Sequence, residues 1–114
     1  MYHNIYRQLK PARKKYNLSG NDILILNGVY LYTLLIKTEF TINSVRDFVK
    51  YFNRYRIEYY IKKLIDRGFI KLHRTANTHV FYRLTEEGYK LINELFNEYD
   101  RIHTKFINEF NISL

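Results

Sequence analysis

The stretch Ile57-Glu58-Tyr59-Tyr60-Ile61-Lys62-Lys63-Leu64-Ile65-Asp66-Arg67-Gly68-Phe69-Ile70 decides the fold. Ile57, Ile61 and Leu64 recur at the spacing that puts apolar side chains on one face of an α-helix. Asn53 offers a side-chain oxygen four residues ahead of Ile57, so it can cap a helix over Arg54–Arg67. Gly68 follows the last helical position, where a left-handed backbone is least costly for glycine. Phe69 to Leu72 then read as a strand, and Val80 to Leu84 as its partner. Between them His73-Arg74-Thr75-Ala76-Asn77-Thr78-His79 is the expected hairpin tip.

Upstream, Asn43 or Ser44 is the expected cap of a shorter helix carrying Val45, Phe48, Val49 and Phe52 at helical spacing. A short extended link, Thr38 to Ile42, precedes it. Ahead of that, Ser19 with Asp22 three residues on opens a helix running from Ile23 to about Lys37. This helix is apolar nearly all round, which predicts a central, well-covered position. Gly28 within it would let another helix approach closely. Residues 1–17 read as one helix or two short pieces, with Ile5, Leu9, Ala12 and Tyr16 on one face and Pro11 as a kink or a first residue. Downstream, Thr85-Glu86-Glu87-Gly88 opens a last helix. Its apolar stripe runs through Leu91, Ile92, Leu95, Phe96, Tyr99, Ile102, Phe106 and Phe110.

Two short helices, a hairpin and a long helix form a helix-turn-helix with a wing. The expected class is therefore mainly α with a small β-hairpin, one domain over residues 1–114. Within it, 1–18 form a basic helical segment, 19–84 the winged helix-turn-helix and 85–114 a dimerisation helix. The runs Ile42–Val49 and Ile57–Ile70, with Leu84-Thr85-Glu86-Glu87-Gly88, resemble winged-helix repressors of the MarR type. The most specific parts are Asp66-Arg67-Gly68 followed by two apolar residues, and the Leu-Thr-x-x-Gly after the wing. PadR-like and replication-initiator winged helices share several of these features. The resemblance spans roughly residues 19–90 and implies a homodimeric transcriptional regulator, a repressor, with both chain ends intertwined around a two-fold axis. The family's Asp-x-Arg element at the wing is absent from residues 73–79, and Tyr51-Phe52-Asn53 lacks the usual turn glycine.

Charge agrees with that reading. The 114 residues carry a formal charge of +8. Residues 43–84 hold ten basic side chains against three acidic ones, whereas residues 85–114 are net acidic. A basic segment coincident with a helix-turn-helix points to double-stranded DNA as the partner. Setting Ile57, Ile61 and Leu64 inward leaves Asn53, Arg54, Tyr55, Arg56 and Tyr59 as candidates for reading base edges near the helix start. Ser44, Lys50, Lys62, Lys63, Arg74 and Asn77 are the candidates for phosphate and wing contacts, with Arg74 at the wing tip. Ile5, Leu9, Tyr99, Ile102, Phe106 and Phe110 are the candidates for a homodimer interface, since they exceed what one small winged domain can cover. Two other readings share the fold: an accessory protein of a mobile element, and a protein-interaction module with no DNA contact. The positive face over residues 54–63 argues against the second.

Other chemistry finds no support. There are no cysteines, which excludes disulfides, thiol catalysis and zinc fingers. His73 and His79 have no third ligand, so no metal and no cofactor are expected. The twelve tyrosines lack the activating groups a phenolic nucleophile needs, and no enzyme is expected. The apolar run Ile23–Ile36 is too short to span a bilayer, the N-terminus lacks a signal core, and a cytoplasmic protein is expected. No residue cluster calls for a small-molecule effector.

Overall fold

The computed structural model describes residues 10–49 and 51–96. Helix α1 covers Lys10–Lys15, α2 Gly20–Leu35, α3 Ile42–Arg46 and α4 Arg54–Asp66. Strands β1, Ile70–Ala76, and β2, His79–Leu84, form an antiparallel hairpin. Residues 86–96 are helical and are termed α5. The architecture is a winged helix, as the residue pattern predicts. Ile5, Leu9, Tyr99, Ile102, Phe106, Phe110 and Lys50 lie outside the described residues.

The starts of α2, α3 and α4 have local chemical causes. The Ser19 hydroxyl accepts from the Asp22 amide at 3.1 Å, and the Asp22 carboxylate accepts from the Ser19 amide at 2.9 Å. This reciprocal pair satisfies two otherwise orphaned donors. At α3 the cap is Thr41, not Asn43 or Ser44. Ser44 occupies the third helical position and closes a second capping box, its hydroxyl accepting from the Thr41 amide at 3.1 Å. The helix is also shorter than the spacing of Val45, Phe48, Val49 and Phe52 implies. It gives way to a turn at Asp47 and Phe48, yet Val45, Val49 and Phe52 still reach the core. Asn53 caps α4 as expected, its Oδ1 accepting from the Arg56 amide at 2.8 Å.

The core joins all these elements. Ile25, Leu26, Val29, Val45, Ile57, Ile61, Leu64, Leu91 and Leu95 are fully buried, each contributing about 1.5–3 kcal/mol of burial free energy. Gly28 allows α3 to press against α2, since a Cβ there would lie 2.7 Å from Val49 Cγ2 and 3.3 Å from Val45 Cγ1. The expectation that α2 is central and well covered is corrected at its C-terminal end. Its buried residues are confined to Asp22–Val29, while Leu34, Leu35 and Ile36 stand exposed. Tyr30 and Tyr32 still pack against Phe96 and Phe48, and the helix leaves the core only beyond them.

The two most specific sequence signatures meet at one junction. Gly68 has φ +83°, a left-handed end to α4 that suits glycine. The next residue, Phe69, offers its carbonyl to the Thr85 amide at 3.0 Å. The Thr85 hydroxyl donates to the Gly68 carbonyl at 2.5 Å and accepts from the Gly88 amide at 3.0 Å. A Cβ on Gly88 would fall 2.0 Å from the Phe69 carbonyl oxygen. The Leu-Thr-x-x-Gly sequence therefore docks the start of α5 onto the end of α4. Arg67 completes the knot by donating to the Tyr16 and Asn17 carbonyls.

The wing differs from its predicted outline. Both strands are longer, and the tip is only Asn77-Thr78, each with positive φ, 51° and 65°. Positive φ at both central residues is the requirement of a type I′ hairpin turn. His73 and Arg74 therefore lie within β1 and not at the tip. The register shifts between Leu72 and Arg74, which bends the ribbon locally. Phe40 adds a single antiparallel bridge to Tyr82, with hydrogen bonds of 2.9 and 2.8 Å, so the extended link forms the base of the wing.

Candidate nucleic-acid interface

Helix α4 has one face in the core and one in solvent. With Ile57, Ile61 and Leu64 turned inward, a rotation of about 100° per residue puts Tyr55, Tyr59 and Lys62 along the opposite crest. Tyr55 is 82% exposed and Tyr59 62%. Arg54 lies on the flank nearer the wing, lining a cleft of about 100 Å³ with Ile42, Asn43, Glu58, Thr78 and Tyr82. Burial pushes the Tyr82 phenol pKa up. Arg56 lies on the other flank, its guanidinium 4.4 Å above the Phe52 ring.

The sequence-selected residues are thus distributed unequally. Arg54, Tyr55, Arg56 and Tyr59 share the exposed first half of α4. Asn53 is exposed there too, but its Oδ1 is committed to the cap. Lys62 is exposed and pairs only loosely with Glu58, one turn back, at 3.1 Å; such a surface pair is worth a few tenths of a kcal/mol. Lys63 turns inward instead. Its ammonium lies 3.6 Å from Asp22 Oδ2, a fully buried carboxylate whose Oδ1 has no hydrogen-bond partner. Lys63 also stands 5.8 Å from the Tyr60 ring centre. It is the charge partner of a buried acid, which the helical spacing alone does not reveal.

Arg74 is likewise placed away from its expected position. Its Nε and Nη2 donate to the two carboxylate oxygens of Glu39 at 3.0 and 2.6 Å, and its guanidinium stacks 4.1 Å above Phe81. The bidentate bond from Arg74 holds the Glu39 carboxyl below its ordinary pKa and raises that of Arg74. His73 Nε2 stands 3.6 Å from the same carboxylate. Glu39 thus ties β1 to the link before α3, a role its position in the extended link gave no sign of. Asn77 is exposed at the tip, and Ser44 is held in the α3 capping box. Tyr51, in the turn before α4, is 93% exposed.

Among the described residues, no cluster of three or more histidine, cysteine or acidic side chains could hold a metal. None of their helices is long and apolar enough to cross a membrane.

A two-stranded wing beside a helix-turn-helix, with an exposed aromatic and basic crest on the second helix, defines a winged-helix regulator. The chain belongs to the transcriptional regulator SarA/Rot family, whose family model matches residues 7–95. Its fold is that of MarR-family regulators. NadR in complex with 4-hydroxyphenylacetate is similar over 96% of this chain and 74% of its own, with 17% identity and a TM-score of 0.75. The S. aureus MepR–DNA complex is similar over 95% of this chain and 78% of its own, with 14% identity and a TM-score of 0.71. Staphylococcus aureus MarR in complex with salicylate and kanamycin covers 98% and 72%, with 18% identity and a TM-score of 0.72. At these identities the likeness is one of fold. No curated protein sequence matches the chain.

Proposed function

We propose that this regulator binds double-stranded DNA sequence-specifically through α4, as a homodimeric repressor acting in the cytoplasm. The observation that carries the reading is the outward face of α4, where Tyr55, Tyr59 and Lys62 stand free of the core between Arg54 and Arg56. A helix of this shape enters the major groove with its N-terminal residues at the base edges. Arg54, Tyr55, Arg56 and Tyr59 would then approach bases, and Lys62, one turn later, a phosphate. The winged-helix fold shared with the MepR–DNA complex supports the same docking mode. Asn77 at the hairpin tip would reach the adjacent backbone, while Arg74 stiffens the wing from within. The terminal segments would hold the two copies together, so that two α4 helices lie about one DNA turn apart.

Duplex affinity measured by fluorescence anisotropy at rising salt tests the reading. Each neutralised phosphate contributes a slope of about −0.9 to log affinity against log salt. A steep negative slope is expected, together with preference for one duplex over random sequence. An affinity indifferent to salt would refute the electrostatic contact.

A further inference from the structure

The crest of α4 has an unusual chemistry for a surface that reads bases. Its two arginines, the side chains best able to bond guanine, stand on opposite flanks. One lies over Phe52, the other lines the cleft toward the wing. The line farthest from the core, where a groove floor would come closest, carries the tyrosine rings of residues 55 and 59. Tyr59 is not a loose surface ring. It packs edge-on against Tyr60, with centroids 5.1 Å apart and planes at 84°. The Tyr60 hydroxyl in turn accepts from Asn21 Nδ2 at 2.7 Å, which anchors the pair to α2. An exposed aromatic side chain held in place from below is arranged to meet something apolar.

In the major groove the apolar feature that bases present is the C5-methyl group of thymine. Resting on the proposed duplex binding, we infer that Tyr55 and Tyr59 are specificity-determining residues that read pyrimidine C5-methyl groups through the edges of their rings. The contact is one of shape and burial, so the phenol hydroxyls are dispensable to it. Residues 55 and 59 are one helical turn apart, about 6 Å along the axis. They would therefore read methyl groups at neighbouring base steps within each half-site.

Uracil differs from thymine only by this methyl group, which makes the test direct. A duplex selected from a random pool by the intact chain serves as probe, and each thymine is replaced singly by deoxyuridine. At the contacted positions the wild-type chain is expected to lose about fourfold in affinity per methyl group removed. Tyr59→Phe and Tyr55→Phe should keep that discrimination. Tyr59→Ala and Tyr55→Ala should each abolish it at their own position, while circular dichroism of the exposed-site variants stays unchanged. Equal affinity of the wild-type chain for thymine and uracil at every position overturns the inference and leaves the proposed duplex binding intact. So does a uracil penalty that persists in both alanine variants. Failure to enrich or bind any duplex overturns the inference together with the function on which it rests.

Discussion

The junction at Gly68, Phe69, Thr85 and Gly88 and the crest at Tyr55, Tyr59 and Lys62 lie on the same helix or at its end, yet they obey opposite constraints. At the junction the polar groups are paired: the Thr85 amide donates to the Phe69 carbonyl, and the Thr85 hydroxyl donates to the Gly68 carbonyl and accepts from the Gly88 amide, all within 3.0 Å. At the crest the side chains are exposed and none belongs to the core. The difference separates what folds the chain from what the folded chain offers. Substitutions at the junction should unfold it, and substitutions at the crest should leave stability nearly unchanged and alter binding.

The sharpest break of that contrast is Gly88→Ala. One methyl group would be driven against a backbone carbonyl that cannot move without disturbing β1. The expected loss is on the order of 3 kcal/mol, the upper range for overpacking, read as a lower urea midpoint. A neutral result would show that α5 is not docked as described.

Two neighbouring lysines sharpen the contrast next. Lys63→Ala strands the buried Asp22 without its counter-charge. We expect a cost of about 1–2 kcal/mol, less than for a fully buried pair because the Lys63 side chain is 42% exposed. Its salt slope for duplex binding should match the wild type. Lys62→Ala should leave the urea midpoint within about 0.5 kcal/mol and make that slope shallower by about one unit.

The wing supplies a smaller effect of opposite sign. Thr78 has φ 65°, a conformation costly for a β-branched residue. Thr78→Gly creates the Asn-Gly turn that this geometry favours and should stabilise the protein by about 1 kcal/mol, seen as a higher melting temperature.

Smallest is the acid response of the wing anchor. Because Arg74 lowers the Glu39 pKa in the folded protein, the stabilisation from this pair is present above the ordinary carboxyl value of 4.5. It is lost as pH falls through the lowered value. Amide exchange in β1 should accelerate there in the wild type, relative to Glu39→Gln at the same pH.

Most of the fold was legible because its determinants are local. Ser19, Asn53 and Gly68 act on atoms within a few residues, and the Ile57, Ile61, Leu64 stripe follows from helical spacing alone. The misplacements have physical reasons. The Thr41 cap was overlooked because Asn43 and Ser44 are equally good capping residues by type, and only the backbone decides among them. The hairpin tip was drawn too wide because Asn77-Thr78 lacks the glycine that usually marks a two-residue turn. Lys63, a candidate for phosphate contact, and Arg74, expected at the wing tip, pair instead with Asp22 and Glu39, which lie 41 and 35 residues away in sequence. Pairing over such distances leaves no periodic trace. The crest was legible in its membership, Tyr55 and Tyr59 included, but not in its buttressing by Tyr60 and Asn21.

The central claim is that the outward face of α4 is the DNA-contacting surface and is independent of the fold. It is tested most directly by measuring duplex affinity and thermal stability together for the double substitution Arg56→Glu and Lys62→Glu. Like charges between position 62 and Glu58 or Asp66 cost a few tenths of a kcal/mol each on the helix, and loss of the exposed Arg56 stack on Phe52 about 0.5–1 kcal/mol. The melting temperature should therefore stay close to the wild type while duplex binding falls beyond detection. Unchanged binding by a folded double variant would contradict the account.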